Sequence, residues 1–149
     1  MRCVAQCVHA ARVDVDGQTV GQIGAGLLAY IGAAAGDGPS DVAYAAEKLL
    51  GLRVFVDAEG KMNRSVVDIG GGILAVSAFT TMADARKGRR PSLDAAAEPA
   101  SAQGLFDSVV DQLRAGGVTV ATGRFGAHMD VQSVNDGPIC ILLDSRRLF

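Results

Sequence analysis

Residues Ser133–Asp144 read SVNDGPICILLD, and the reading of this stretch decides the fold. Two runs suited to strands, Met129–Val134 and Ile139–Leu143, flank Asn135-Asp136-Gly137-Pro138. Those four residues are turn formers, so the stretch predicts strand, tight turn, strand. Asp-Gly alone would have served a hairpin. The added proline stiffens the corner, removes a donor, and supplies the one bond type at which a cis peptide costs little. Such a corner is either a plain turn or a device that aims main-chain carbonyls at something.

Working outward, the chain supplies partners for these strands. Cys3–Val8 and Arg12–Val15 alternate as strands, Asp16-Gly17 signals a hairpin, and Gln18–Ile23 returns. Leu27–Ala33 is a short apolar run between glycines, which predicts a strand buried on both faces. Ser40–Leu50 reads as a helix with Val42, Ala45, Ala46 and Leu49 on one face, Ser40 as its N-cap and Gly51 as its C-cap. Arg53–Val56 and Ile73–Phe79 read as further strands, and Val66–Ile69 as a short apolar piece. Ser101 opens a second helix to Ala115, with Leu105, Val109 and Leu113 as its stripe, and Val118–Thr122 follows as a strand. About eight strands and two helices in this order predict an α/β domain over residues 1–149. Its sheet is mixed, largely antiparallel, and forms a split barrel with both helices packed outside.

Composition narrows the function classes. The chain has 149 residues, net charge −2 and 20% charged residues, a globular balance that advertises no nucleic-acid binder in bulk. One local exception is Arg86-Lys87-Gly88-Arg89-Arg90, four cations in five residues, inside the aperiodic stretch Asp84–Ala100. It reads as a solvated loop or as a phosphate-contacting patch. No apolar run approaches the ~18 residues that span a membrane, and the opening residues do not form a signal peptide. The cysteines, Cys3, Cys7 and Cys140, are three with no CxxC pair, which points to reduced thiols in the cytoplasm and to no metal site.

Conventional catalytic patterns are absent. The two histidines, His9 and His128, stand in no triad or metal-ligand spacing, GxGxxG is missing, and nothing calls for a cofactor. Cys140 is either a nucleophile near a turn or a small apolar residue. The end of the strand at Ser77-Ala78-Phe79-Thr80 frees backbone N–H groups, which could bind an oxyanion.

Taken together, the segments MRCVAQCV, VDGQTVGQIGAGLL, DAEGKMN, VSAFTTMADARKGRRPS, TGRFGAHMDV and NDGPICILLDS resemble the D-aminoacyl-tRNA deacylases along essentially the whole chain. That family's two motifs match Ser77-Ala78-Phe79-Thr80 and Gly137-Pro138-Ile139-Cys140. The resemblance implies hydrolysis of the ester between a tRNA 3′ end and a D-amino acid or glycine. It implies a homodimer in which each subunit inserts a cis Gly137-Pro138 corner into its partner's site. The carbonyls of that corner, with Met129 and Cys7 nearby, would sort substrates by handedness. Backbone N–H groups of Ala78 and Phe79 would hold the oxyanion, with Ser77, Thr80 and Cys140 completing the catalytic set. The tRNA's own 2′-hydroxyl would activate the water, and Arg86, Lys87, Arg89 and Arg90 would meet tRNA phosphates.

Four positions depart from the family pattern, which carries arginine at Cys7, glutamine at Ala78, leucine at Thr81 and threonine at Cys140. Cysteine at position 7 cannot hold the corner's carbonyls as arginine can. Two further readings therefore stand beside the first: a diverged relative with relaxed or altered specificity, and a tRNA-binding protein of the same fold without catalysis.

Overall fold

The computed structural model describes residues 1–148. The elements run β1 (Arg2–Val15), β2 (Gln18–Ile23), β3 (Gly26–Gly32), α1 (Pro39–Gly51), β4 (Phe55–Val56), β5 (Met62–Arg64), β6 (Gly72–Ser77), a 3-10 turn (Phe79–Met82), α2 (Pro99–Ala115), β7 (Thr119–Thr122) and β8 (Asp130–Asp144). One sheet has the order β2-β1-β3-β6-β7, with β8 on the other edge of β1. β1 is antiparallel to β2, β3 and β8, whereas β3–β6 and β6–β7 are parallel. The sheet curls until its ends meet: a side chain on Gly21 of β2 would strike the Thr122 carbonyl of β7. Only glycine permits that approach of two backbones. The mixed, nearly closed sheet and the two helices outside it match the expectation.

A single bulge lets β1 serve two cores. Cys3, Ala5 and Cys7 face the helices, together with Leu27, Ala29 and Ile31 of β3 and Ile73 and Ala75 of β6. Against them pack Val42, Ala45, Ala46 and Leu49 of α1 and Phe106, Val109, Val110 and Leu113 of α2. Beyond the bulge, Ala11, Val13 and Val15 turn to the barrel interior, where Leu28, Leu74 and Val76 meet them. The register between β1 and β8 slips between Val8 and Ala10, leaving His9 as the extra residue. One extra residue inverts the alternation of a strand, so odd positions change faces there. Each large apolar side chain fully buried in these two layers contributes about 1.5–3 kcal/mol.

Both helices start earlier than expected. Pro39 and Pro99 each occupy the first turn, where a missing N–H costs nothing. Gly38, not Ser40, precedes α1, and the Asp41 carboxylate accepts the Gly38 N–H at 2.9 Å. Gly51 lies inside α1, and residues 66–69 form a turn.

The stretch quoted first is not a hairpin. β8 is one strand of 15 residues, and both halves pair with β1 in the same sense. Asn135 lies opposite Val8 and Cys140 opposite Gln6, so residues 136–139 loop out across Cys7 alone. The turn-forming residues bend the chain out of the ladder and back into it, because β1 runs on beneath them as a continuous template. Among the described residues no peptide bond is cis, so the Gly137–Pro138 bond is trans, against the expectation. The trans form of an X–Pro bond is favoured by about 0.5–1 kcal/mol, and the corner is exposed, with no packing to overturn that preference. Gly137 has φ +124°, a conformation that only glycine adopts readily.

Candidate active site

The site begins where β6 ends. β6 runs parallel between β3 and β7, and its last residue, Ser77, delivers the chain to the Phe79–Met82 turn at the carboxyl edge of the sheet. Gly32, at the end of β3, lets the turn sit close. A Cβ there would overlap Thr81 Oγ1 and lie 2.6 Å from the Ala78 carbonyl. The Thr81 hydroxyl donates to that same carbonyl at 3.0 Å, and Arg2 Nη1 donates to the Thr81 carbonyl at 3.3 Å.

The amides at this strand end divide by use. The Ala78 N–H donates to the Ile31 carbonyl at 2.9 Å, so it continues the sheet and is not free. Phe79 and Thr80 open the 3-10 turn, and the first N–H groups of a helix have no acceptor within it. The free pair is therefore one residue further on than the resemblance implied. Phe79 is also 58% exposed, unusual for its side chain.

Beside this turn opens a cavity of about 440 Å³, of the size that takes a small ligand. Its walls include Ile31, Ser77, Ala78 and Phe79; Leu93, Ala96 and Ala97; Pro99, Ala102 and Phe106 of α2; and Phe125, Gly126, Ala127 and Met129. The Phe106 and Phe125 rings pack at 6.4 Å and 50°. Among the described residues of the lining, Glu98 is the only charged side chain and Ser77 the only hydroxyl. Met1 forms part of the wall, and its amine is held by Asp37 Oδ2 and by Ser145 Oγ, each at 2.7 Å. Arg146 closes on the other Asp37 oxygen at 2.9 Å.

The sequence-predicted residues separate into four groups. Ser77, Ala78, Phe79 and Met129 come together on the cavity wall, with Thr80 next in the turn. Gly137, Pro138 and Cys140 are exposed on β8 and line no part of it. Cys7 is buried on the helix-facing core, its thiol donating to the Val54 carbonyl at 3.8 Å. Burial, with the nearby Asp136 and Cys140, pushes that thiol up to about 11. Asp136 meets His9 Nε2 at 3.6 Å at the foot of the corner. Arg86, Lys87, Arg89 and Arg90 lie on an exposed loop outside the cavity. Among the described residues no cluster of side chains could hold a metal ion.

Sequence reasoning missed Phe106, Phe125, Leu93 and residues 96–99 as cavity walls. Phe106 reads as helix core, and the others come from segments far apart in the chain. Only the TGRFGAHMDV segment, which contains Phe125, carried any signal.

The family model described as D-Tyr-tRNA(Tyr) deacylase matches residues 4–144. A D-aminoacyl-tRNA deacylase of Syntrophotalea carbinolica is 56% identical over 149 residues, covering 100% of both chains. One from Sorangium cellulosum is 53% identical over 150 residues, again covering both in full. Among solved structures, the c-Myc DNA Unwinding Element Binding Protein superposes with a TM-score of 0.91 at 36% identity, covering 97% of this chain and 98% of that one. A probable eukaryotic D-amino acid tRNA deacylase shares the fold, with a TM-score of 0.79 at 17% identity over 95% of this chain and 97% of that one.

Proposed function

The chain belongs to the D-Tyr-tRNA(Tyr) deacylase family, and from that premise we propose that it hydrolyses the ester joining a D-amino acid, or glycine, to the 3′ end of tRNA. Water is consumed, and free tRNA and the amino acid leave. The observation that carries this reading is the apolar cavity walled by Ser77, Ala78 and Phe79, beside the 3-10 turn whose first amides, those of Phe79 and Thr80, are free. An ester carbonyl directed at those amides would have its developing oxyanion held by main chain. One such donor lowers the barrier by about 2.7–4 kcal/mol.

The lining agrees with a mechanism that needs no side-chain nucleophile. No histidine borders the cavity, and the His9 and His128 side chains are 63% and 97% exposed. Ser77 has no histidine or lysine beside it among the lining residues, whose one charged side chain is Glu98. The resemblance to the deacylase family implies that the substrate's own 2′-hydroxyl activates the water. A substrate made and consumed in translation sets the site of action in the cytoplasm.

The working unit of this proposal is a homodimer. The Gly137-Pro138 corner projects from β8 and lines no part of its own chain's cavity. To sort substrates it must enter the cavity of a second copy. The outer edge of β8 has no strand partner among the described residues, and Val134 and Leu142 on β8 are 61% and 58% exposed. In the partner's cavity, the carbonyls beside Gly137 and Pro138 would crowd an L side chain and leave a D side chain or a hydrogen free.

Cys7 favours a second reading, relaxed discrimination. Its thiol turns to Val54, and the side-chain contact at the corner itself is the exposed His9–Asp136 pair, its flanks being held by pairing to β1. Deacylation of matched D-, L- and glycyl-tRNA by the purified protein separates the two. Strict preference for D and glycine supports the first reading, comparable rates for D and L support the second, and no turnover of any of the three removes both.

A further inference from the structure

The basic loop has a construction that a solvated surface loop does not need. It leaves the cavity wall after the Phe79–Met82 turn and returns to it at Leu93. At its base, Asp84 and Ser92 exchange both backbone hydrogen bonds, at 2.8 and 2.9 Å. Arg86 then reinforces that base from within. Its Nε and Nη2 fork onto the two Asp84 oxygens at 2.9 and 2.6 Å, and its own N–H donates to Asp84 Oδ1 at 3.0 Å. That fork holds the Asp84 carboxyl far below the ordinary carboxylate range. Gly88, at φ +70°, makes the reversal at the tip.

The other three cations are different. Lys87, Arg89 and Arg90 are exposed, and none has a carboxylate within ion-pair distance among the described residues. Three like charges within four residues repel one another, and a chain of anions relieves that repulsion. The arm springs from the cavity wall at Phe79 and rejoins it at Leu93, so a strand that leaves the cavity on that side runs along it.

We propose that residues 84–92 form a clasped arm whose Lys87, Arg89 and Arg90 bind the backbone phosphates of the single-stranded nucleotides preceding the one in the cavity, while Arg86 serves the clasp and not the RNA. This rests on the reading of the cavity as the seat of an RNA 3′ end. It also removes Arg86 from the phosphate contacts that the basic run first implied.

The test is equilibrium binding of a fluorescent, uncharged RNA hairpin (one carrying no amino acid) with a single-stranded 3′ tail, measured by anisotropy between 50 and 200 mM salt with the full chain. Each phosphate neutralised on a single strand contributes about 0.7 to the slope of log K against log salt. Lys87→Gln, Arg89→Gln and Arg90→Gln combined should flatten the slope by about 2, and each single change by about 0.7. Arg86→Gln should move the slope by less than any one of these and lower the protease resistance of the arm instead. A triple variant with the parent slope overturns the proposal, as does an Arg86→Gln slope loss equal to the others. Because the RNA carries no amino acid, failure of the deacylase reading shows separately, as RNA binding with this slope and no hydrolysis of D-aminoacyl-tRNA.

Discussion

Cys7 and Cys3 lie on one face in the alternation of β1, both buried against the helices, and burial raises both thiols: Cys7 to about 11, and Cys3 to about 12 against a smaller opposing pull from the N-terminal amine. An unfolded chain would release these protons near pH 9. The folded protein keeps them longer, so between those values it binds more protons than the unfolded chain does. Stability from this source is therefore complete below about pH 8.5 and falls as pH rises towards 11–12. A tenfold difference in proton affinity between the folded and unfolded chain is worth about 1.4 kcal/mol, which bounds the loss at roughly 3 kcal/mol for Cys7 and 4 for Cys3. Urea unfolding at pH 7.5 and 10.5 should show the fall, and Cys7→Ala and Cys3→Ala should each flatten it while lowering stability at pH 7.5. A parent protein equally stable at both pH values would show that neither thiol stays protonated. The same burial keeps the Cys7 thiol protonated at neutral pH.

At the scale of elements, the decisive contact is between the end of β3 and the 3-10 turn. Gly32 has no room for a methyl group beside Thr81 Oγ1 and the Ala78 carbonyl. Gly32→Ala must push the turn outward, and the Phe79 and Thr80 amides move with it. Overpacking of this kind costs about 1–3 kcal/mol, and a 1 Å displacement of catalytic groups costs about a hundredfold in rate. The expected result is a folded variant whose single-turnover deacylation is much slower while substrate binding changes little. A folded variant as fast as the parent would show that the turn does not set the reacting geometry. Such contacts explain what was legible in the sequence. Alternating burial in β1, the helix face at Val42 through Leu49, and the basic run all follow from local pattern. The loop at residues 136–139 was not legible as such, because Asp136-Gly137-Pro138 carries the same turn signal whether the chain reverses or only bulges. The difference lies in β1, more than a hundred residues away, which pairs with both flanks. The free amide pair was misassigned by one residue for a similar reason. Nothing near Ala78 announces that Ile31 takes its N–H.

At the scale of the whole molecule, the proposed cavity and the proposed selector sit on one chain but do not meet, and that separation makes a complementation experiment possible. One variant, Ala102→Trp, fills the cavity from α2 and leaves the corner as it is. A second, Gly137→Ala with Pro138→Ala, alters the corner and leaves the cavity open. Homodimers of the first should be inactive. Those of the second should hydrolyse D- and L-aminoacyl-tRNA with little distinction, because the amides remain and the carbonyls no longer crowd an L side chain. If the corner acts on the other subunit, a hybrid of the two has one open cavity, and the corner entering it is intact. Refolding the two together, with distinct tags to purify the hybrid, should therefore restore preference for D substrate at about half the parent rate per dimer. If each corner served its own chain, the open cavity of the hybrid would keep the altered corner, and discrimination would stay lost. A hybrid that fails to distinguish D from L, formed from subunits that are folded and associated, would move the selector back onto its own chain and leave the exposed edge of β8 without the role assigned to it.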